Sequence, residues 1–421
     1  MPTEVDVAII GAGAAGVGAA RRLAGSGRSV VLLEASARVG GRAFTQRLAG
    51  MDLDLGCEWL HSADRNSWVA VAEQSGTPVH RGPTAWGVQF RGLGFSNSEQ
   101  SEARNAFADW IKTMRERKAD HDRASDTIDP ASPWRAFFEA RVGYISGVAP
   151  EDISVADYLA YEDAATGLNW RLPHGYGTLV AASFPRGIDL RLGAPLTALH
   201  LQGSGVDIET PQGNLRARCA ILTMSNHALL SNAIELPREL APWKDAASHL
   251  PLGRNEKLFF EILGDNPFAP ETHVVGNPHD PRSGAYYIRP FGQPVIEGFF
   301  GGAGARMIAE AGPAAGFTFA FEELVALFGS DARRSLRPLV ASNWSQQSFI
   351  GGAYSCALPE HAGARAELAH PFDDRIFFAG EATHPFDFTT AHGAHDSGRR
   401  AAEEAIAALD RTDRTVRKAT A

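Results

Sequence analysis

Cysteine is scarce in this sequence, and its few cysteines form no recognisable pattern. The three residues, Cys57, Cys219 and Cys356, are far apart, odd in number and without a CxxC spacing. They therefore indicate neither a disulfide framework nor a metal site. We expect a protein of a reducing compartment that has no metal ligands.

Long apolar runs and an excess of basic charge are also absent. No run reaches the roughly 20 apolar residues that a membrane-spanning helix needs, and the N-terminal stretch MPTEVDVAIIGAGAAG has no basic region before an apolar signal segment. The formal net charge is −9, which argues against nucleic acid or an anionic membrane as the main partner. These absences predict a cytoplasmic protein. A chain of 421 residues allows two or three domains, and nothing in it fixes the oligomeric state.

The N-terminal stretch VDVAIIGAGAAGVGAARRLAGSGRSVVLLEA has the pattern of a strand, a glycine-rich turn, a helix and a second strand. The first glycine of GxGxxG permits the tight turn, the second lets backbone approach a pyrophosphate, and the third lets helix and strand pack closely. A helix N-terminus then faces the phosphates, and an acid about 20 residues on binds ribose hydroxyls. The predicted dinucleotide-binding positions are Gly11, Gly13, Ala15, Gly16, Glu34 and Ala35.

The next segment, EASARVGGRAFT, distinguishes among dinucleotides. Its Gly41 and Arg42 resemble the GGR extension of the FAD-dependent amine oxidase superfamily, which includes polyamine and monoamine oxidases. The resemblance implies FAD as cofactor, with the Arg42 guanidinium on the diphosphate.

A second resemblance lies in LDLGCEWLHSADRNSW, which is similar to the segment that passes over the flavin in polyamine oxidases. The resemblance implies that Glu58 and Trp59 place backbone against the cofactor and that His61 faces the substrate. A histidine with a pKa near neutrality can orient an amine or polarise a water. The alternative is a packed histidine with both nitrogens satisfied.

Lys257 is the charged residue that enters the apolar stretch LFFEIL. A charge in such a strand is expensive unless it is exposed or has a function. Polyamine oxidases have a similar segment whose lysine holds a water against flavin N5, and the resemblance implies this role for Lys257. The alternative is an edge lysine that protects a strand from aggregation.

The segment SNWSQQSFIGGAYSCALPE resembles the family segment that closes the flavin site. By resemblance, Trp344 packs near the isoalloxazine and Tyr354 forms one wall of the substrate cavity. Monoamine oxidases bond the flavin covalently through a cysteine, and the matching position here is Ala353. Because Cys356 lies three residues further on, we expect non-covalent FAD.

The C-terminal stretch RIFFAGEAT ends a strand in Gly380 and Glu381, and a helical pattern follows it. The resemblance gives Glu381 a ribityl hydroxyl or a phosphate-bound water as partner. The N–H groups of Thr390 and Ala391, at the helix N-terminus, would stabilise negative charge on the reduced ring. Thr390 stands where monoamine oxidases have a second tyrosine, as in the polyamine oxidase branch. Leu196 matches a position of backbone contact to adenine.

The expected fold class is α/β, with a Rossmann-like FAD-binding domain of the glutathione-reductase type and a mixed α+β substrate domain. The FAD-binding domain is predicted to combine residues 1–80, 172–250 and 336–410. The substrate domain is predicted to combine residues 81–171 and 251–335, and a polar tail is expected over 411–421.

The predicted function is FAD-dependent oxidation of an amine, with a polyamine-type substrate favoured. Hydride passes from the α-carbon to flavin N5, the imine is hydrolysed, and O2 reoxidises the flavin to give H2O2. An L-amino-acid oxidase stays open, although no arginine for the carboxylate can be assigned. A carotene-type desaturase and a non-catalytic FAD-binding protein are further alternatives.

Overall fold

The computed structural model describes residues 3–420. The strands are β1 (Thr3–Ile10), β2 (Val30–Leu33), β3 (Thr45–Leu48), β4 (Met51–Asp54), β5 (Trp59–Leu60), β6 (Trp170–Arg171), β7 (Asp189–Arg191), β8 (Ala198–Gln202), β9 (Gly205–Thr210), β10 (Gly213–Leu222), β11 (Asn255–Ile262), β12 (Thr272–Val275), β13 (Ala285–Ile288), β14 (Val295–Gly301), β15 (Leu336–Ala341) and β16 (Ile376–Phe378). The helices are α1 (Ala14–Leu23), α2 (Ser67–Ser75), α3 (Asn97–Arg117), α4 (Arg135–Ser146), α5 (Val155–Ala164), α6 (Tyr176–Ala182), α7 (Asn226–Leu230), α8 (Ala241–Ser248), α9 (Gly302–Ala311), α10 (Pro313–Phe328), α11 (Ala332–Ser335), α12 (Ala364–Ala369) and α13 (Ala391–Thr420).

The N-terminal βαβ unit is confirmed. β1 and β2 run parallel, with Val7 opposite Val30 and Ile10 opposite Leu33. Both strands carry almost fully buried apolar residues, as expected of strands covered on both faces. α1 lies between them in sequence and packs on the same apolar cluster.

One sheet joins distant parts of the chain in the order β7-β2-β1-β10-β9-β8, and β16 pairs with β10. β10 is long enough for two neighbours on one side. Its residues 213–217 pair antiparallel with β9, and its residues 220–222 pair parallel with β16. The carboxyl ends of β1, β2, β10 and β16 therefore share one edge, where ligands bind in open α/β sheets. The sequence predicted three strands over 188–225, and the structure has four because β7 is a separate short strand.

The second sheet is antiparallel, in the order β12-β13-β14-β11-β15. β15 corrects the predicted boundary at residue 336, because this strand pairs with β11 of the second sheet. β11 lies between β14 and β15, so Lys257 is on a central strand and the edge-lysine alternative is wrong.

The remaining helices cover the two sheets. α3 and α5 confirm the helical segments predicted within residues 81–171, and their aromatic side chains form a core of their own. α13 packs on α1 so closely that a Cβ at Gly398 would lie 1.9 Å from the Ala15 carbonyl oxygen. Where a polar tail was predicted from residue 411, α13 continues through Thr420, and residue 421 lies outside the described residues. Within residues 3–420, none of the helices has the length and apolar character needed to cross a membrane.

Candidate active site

A cavity of about 1280 Å³ connects the carboxyl edge of the first sheet with one face of the second. Its volume exceeds the roughly 300–1,000 Å³ of an ordinary small-molecule pocket. There is therefore room for a dinucleotide and a substrate together. We call the part along β1, β2 and β16 the first-sheet end, and the part along β11 to β14 the second-sheet end.

Almost every residue that the sequence nominated lines this cavity. The set is Gly11, Gly13, Ala15, Glu34, Ala35, Gly41, Arg42, Glu58, Trp59, His61, Leu196, Lys257, Trp344, Tyr354, Gly380, Glu381, Thr390 and Ala391. Gly16 is not among the lining residues. A Cβ there would lie 1.9 Å from the Gly11 carbonyl oxygen, so Gly16 allows α1 to pack closely on the turn.

The glycine-rich turn leaves open space at the first-sheet end. Gly11 has φ +108°, which is outside the range of most L-residues. The nearest atom to a Cβ at Gly13 would be 4.0 Å away, so backbone there is open to close approach. Gly13 caps α1 without a side-chain hydrogen bond. The first N–H groups of α1 therefore remain available to an anion.

Two charged side chains follow this turn. Glu34 accepts from the Ala12 N–H at 2.6 Å and from the Ser36 N–H at 2.8 Å, which fixes its carboxylate beside the cavity. The Arg38 guanidinium lies 4.0 Å from the ring centroid of Phe44. Its buried Nη1 has no hydrogen-bond partner within residues 3–420, and burial lowers the pKa of Arg38. A phosphate or another anionic ligand group would satisfy this atom.

Arg42 and Glu381 connect the N-terminal and C-terminal segments. Arg42 Nη1 donates to Glu381 Oε1 at 3.0 Å and to the Ala353 carbonyl. Glu381 also accepts from the Ser355 hydroxyl at 2.7 Å and from the Thr389 N–H at 3.1 Å. Burial would raise the pKa of Glu381, but Arg42 and other donors outweigh burial and keep it below its usual value. The Glu381 carboxylate is thus ionised, and it fixes the segments that border the middle of the cavity.

The N-terminus of α13 opens on the same region. Thr390 Oγ1 donates to the Asp387 carbonyl at 2.6 Å and accepts from the Gly393 N–H at 3.0 Å. Ala391 begins the helix and lines the cavity. The positive end of a helix dipole therefore points into the cavity.

Two aromatic side chains border the middle of the cavity. Trp344 donates from Nε1 to the Leu55 carbonyl at 2.9 Å, and the Tyr354 hydroxyl donates to the Tyr144 carbonyl. Both rings line the cavity while their polar atoms are satisfied by backbone. The two cavity walls that these rings form are therefore fixed before any ligand binds.

The second-sheet end is lined by residues that alternate along antiparallel strands. His273 pairs with Tyr287, and Tyr287 pairs with Glu297 on β14. Lys257 of β11 stands opposite Phe299, two residues from Glu297. Since side chains two residues apart share a face of a sheet, these five point into the cavity together.

Lys257 is held by three acceptors. Its Nζ lies 2.7 Å from Glu297 Oε1, 3.0 Å from Glu58 Oε2 and 3.0 Å from the Asp54 carbonyl oxygen. The three side chains are 8%, 9% and 10% exposed for Lys257, Glu297 and Glu58. Burial would lower the pKa of Lys257, but the two glutamates outweigh it and raise that pKa. A water held by Lys257, as the resemblance implies, would have to share one of its three N–H groups with these acceptors.

His61 is fixed in one tautomer by Asn169. The His61 Nδ1 lies 2.8 Å from Asn169 Oδ1, and the Asn169 amide nitrogen donates to the Gly167 carbonyl at 3.3 Å. With the amide oxygen facing the ring, Nδ1 is the donor and Nε2 keeps its lone pair. Burial lowers the pKa of His61 to about 4, so the ring is neutral. His61 therefore offers an acceptor and no positive charge to a ligand.

Aromatic rings complete this end. The Trp59 and Trp86 centroids are 4.2 Å apart, and Trp59 lies 5.8 Å from Tyr287. Behind them, the buried Arg171 guanidinium lies 4.9 Å from Trp59 and 4.6 Å from Tyr287, and pairs with Glu271 at 2.6 Å. The aromatic wall is thus held from outside the cavity by a cation.

Cysteine positions differ in their access to the cavity. Ala353, which stands where monoamine oxidases have the cysteine that bonds the flavin, lines the cavity. The Cys356 thiol is buried outside the cavity wall, where it donates to the Ala357 carbonyl at 3.6 Å. Cys57 does line the cavity, but burial raises the pKa of its thiol well above the usual value. Cys57 is therefore a protonated thiol and a poor nucleophile.

Several cavity residues were not assigned a role from the sequence, namely Arg38, Trp86, Asn169 and Glu297. Glu297 could have been found, because it stands in the apolar run VIEGFF just as Lys257 stands before LFFEIL. Asn169 has no comparable signal in its local sequence.

A family model described as flavin containing amine oxidoreductase matches residues 14–406. The chain belongs to this family. The predicted enzyme class, a flavin-containing amine oxidoreductase, is thereby confirmed.

Relatives within the family are similar over nearly their full length. "Polyamine oxidase 4" of Oryza sativa subsp. japonica is 26% identical, covering 95% of this chain and 88% of the relative. "Polyamine oxidase 2" of Arabidopsis thaliana is 25% identical, covering 95% and 87%. "Putative flavin-containing monoamine oxidase AofH" of Mycobacterium tuberculosis (strain ATCC 25618 / H37Rv) is 26% identical, covering 97% and 98%.

Solved structures share the fold. Putrescine oxidase bound to putrescine superposes with a TM-score of 0.76 at 18% identity, covering 96% of this chain and 99% of that one. Cyclohexylamine oxidase from Brevibacterium oxydans IH-35A gives a TM-score of 0.73 at 20% identity, with the same coverage. These likenesses confirm the predicted fold class.

Proposed function

We propose that the protein is an FAD-dependent oxidase of amines. The observation that carries the proposal is one continuous cavity that is glycine-rich and cationic at the first-sheet end and polar and aromatic at the second-sheet end. The first end suits a dinucleotide, and the second suits a small amine beside the ring of the cofactor. The family match supports the flavin and the amine chemistry.

FAD fits the residues at the first-sheet end. The free N–H groups of α1, the unpaired Nη1 of Arg38 and the Arg42 guanidinium are suited to its diphosphate, and Glu34 to its ribose. Bound there, FAD would supply the redox chemistry, taking a hydride from the amine α-carbon and returning electrons to O2 as H2O2. Ala353 at the monoamine oxidase cysteine position, together with a buried Cys356, supports non-covalent binding.

The chain's own residues would position the substrate and control charge. Trp344 and Tyr354 limit the space beside the ring, and the N-terminus of α13 favours negative charge on it. The Nε2 lone pair of His61 accepts a hydrogen bond from the amine. Beside the ring of the cofactor, the buried walls formed by Trp344 and Tyr354 disfavour a charge on the reacting nitrogen and so favour the neutral amine there.

A polyamine-type substrate is the first class within this proposal. Relatives named polyamine oxidases support it. The aromatic wall around Trp59 and Trp86 also supports it, because aromatic faces attract a second ammonium group.

A substrate that carries a carboxylate is the second class, and one residue favours it. Arg141 lines the cavity with its guanidinium 4.8 Å from the Phe107 centroid. No hydrogen bond or ion pair engages Arg141 within residues 3–420. Arg141 could therefore bind the carboxylate of an amino-acid substrate, a role for which the sequence alone suggested no arginine.

Two measurements test the proposal, namely release of the cofactor from denatured protein and production of H2O2 from candidate substrates. Acid precipitation of the purified holoprotein should leave FAD in the supernatant, and a peroxidase-linked assay should detect H2O2 with spermine, spermidine, putrescine, aromatic monoamines or L-amino acids. Replacing Arg141 with Met should raise KM for amino acids and not for polyamines if the second class is correct. Flavin that stays with the precipitate would contradict non-covalent binding, and no H2O2 with any substrate would contradict the oxidase.

A further inference from the structure

We propose that Glu58 and Glu297 form one proton-holding pair that takes the ammonium proton of the substrate before its oxidation. The inference rests on the proposed function, because it concerns the amine of that reaction. It assigns an acceptor for a proton that must leave before the nitrogen lone pair can assist departure of the hydride.

The geometry joins the two carboxyl groups to each other and to the cavity. Both line the second-sheet end, and both contact the Lys257 ammonium, at 3.0 Å and 2.7 Å. Because both carboxylates lie against the same ammonium nitrogen, they are close to each other, and the ionised Glu58 opposes ionisation of Glu297. A single proton held by the pair would relieve this repulsion.

The charges of the cluster follow from this proton. With it, one ammonium and one net carboxylate charge cancel. Without it, the cluster carries one negative charge in a buried site. Burial, followed by the neighbouring Glu58, raises the pKa of Glu297 to about 8. Burial would also raise the pKa of Glu58, but Lys257 and the other neighbouring groups together outweigh burial and keep that pKa below its usual value. The pair therefore titrates as a unit near the pH at which the enzyme would work.

Other groups that face the pair are poorer acceptors. Lys257 is an ammonium and has no lone pair. Burial raises the pKa of Tyr287 on β13, so its hydroxyl already holds its proton. Burial lowers the pKa of His273 on β12 to about 4, so its ring takes up a proton only in acid.

Asp54 on β4 is engaged elsewhere, because its carboxylate accepts the Tyr176 N–H at 2.8 Å and the Gly177 N–H at 3.2 Å. Arg171, on β6, acts on Glu58 only through its positive charge. The pair is thus the group at this end whose affinity for a proton is suited to an amine.

The proton transfer balances simply. In R–CH2–NH3⁺, one N–H bond breaks and its electron pair stays on nitrogen, while an O–H bond forms on the pair. The products are the neutral amine R–CH2–NH2 and the protonated pair, and the proton passes to solvent later in the cycle. No oxidant takes part in this step.

Proton counting on the holoenzyme tests the pair independently of turnover. The probe is tert-butylamine, which has no α-hydrogen, and its binding is followed by calorimetry in buffers of different ionisation enthalpy. The number of protons released should fall by about one between pH 6.5 and pH 9. In Glu297→Gln that number should be the same at both pH values. A wild-type count that does not change, or a variant that keeps the change, would overturn the proposal.

Flavin reduction by an oxidisable amine gives the second readout. In the wild type its rate should rise tenfold per pH unit below an inflection near pH 8 and then level off. Glu297→Gln should remove the inflection and slow reduction by about 100-fold at pH 8, the lower end of the effect of a general base. Glu297→Asp should keep the inflection. An unchanged profile in Glu297→Gln contradicts the proposal.

Glu261→Gln is the matched control, because Glu261 is also on the second sheet but pairs with Arg337 outside the cavity. It should match the wild type in both assays. If no amine reduces the wild-type flavin, the proposed function fails, and the proton count still decides whether the pair exists.

Discussion

Replacing Lys257 with Met should destabilise the protein, and the loss should grow with pH. The substitution keeps an unbranched side chain of similar length but removes the ammonium from between two buried carboxyl groups. At pH 9 both Glu58 and Glu297 would then tend to ionise without a cation. At pH 6 they can take up a further proton and become neutral.

The structure sets the size of the effect. Removing one partner of a buried ion pair costs about 3–5 kcal/mol. With an unfolding entropy of about 2.1 cal/mol/K per residue over the chain, 1 kcal/mol shifts the melting temperature by about 1 °C. Lys257→Met should therefore lower the melting temperature by about 3–6 °C at pH 9, and by less at pH 6. Adding Glu297→Gln should recover part of the loss, because it removes one of the two uncompensated charges.

The assay is thermal unfolding of the holoprotein at both pH values, with Lys112→Met as control. Lys112 lies on α3 with its side chain 73% exposed, so its loss should change little. An equal loss for Lys257→Met at pH 6 and pH 9, or no recovery in the double variant, would refute the charge reasoning.

Three further predictions concern single contacts. Asn169→Leu should release the tautomer of His61, which its ¹⁵N chemical shifts would report, and slow flavin reduction by about tenfold without loss of cofactor; unchanged shifts would remove the tautomer argument. Gly16→Ala should destabilise the glycine-rich turn and reduce the flavin content of purified protein, because its Cβ would meet the Gly11 carbonyl at 1.9 Å; full flavin content would contradict the close packing. Arg38→Met should weaken FAD binding at least tenfold, as titration of apoprotein would show, since a charge-assisted hydrogen bond contributes about 1.5–3 kcal/mol; equal affinity would mean that its unpaired Nη1 does not face the cofactor.

The βαβ unit was predictable because two glycines of its motif have a local steric reason. Gly11 needs a positive φ, and Gly16 needs to lack a Cβ. The strand count over 188–225 was less accessible, because β7 has only three residues and no pattern of its own. The pairing of β15 with β11 could not be read either, since a strand's partner is set by the whole sheet and not by its own sequence.

The candidate site also has a part that could be predicted from the sequence and a part that could not. Residues in motifs, such as Arg42 and Glu381, could be nominated one by one, and the fold brings them to 3.0 Å although 339 positions separate them. The partners of Lys257 could not be nominated together, because Glu58 lies between β4 and β5 and Glu297 lies on β14, and only the tertiary fold brings the two to one ammonium group. The contact between His61 and Asn169 spans 108 positions and has no motif.

The most direct test of the central claim is anaerobic mixing of the holoprotein with amines while the flavin absorbance is recorded. Spermine, spermidine, their acetylated forms, putrescine, aromatic monoamines and L-amino acids form the panel. We expect rapid bleaching by at least one class, with polyamines first among them. Bound flavin that dithionite reduces but that no member of the panel bleaches would contradict an amine oxidase.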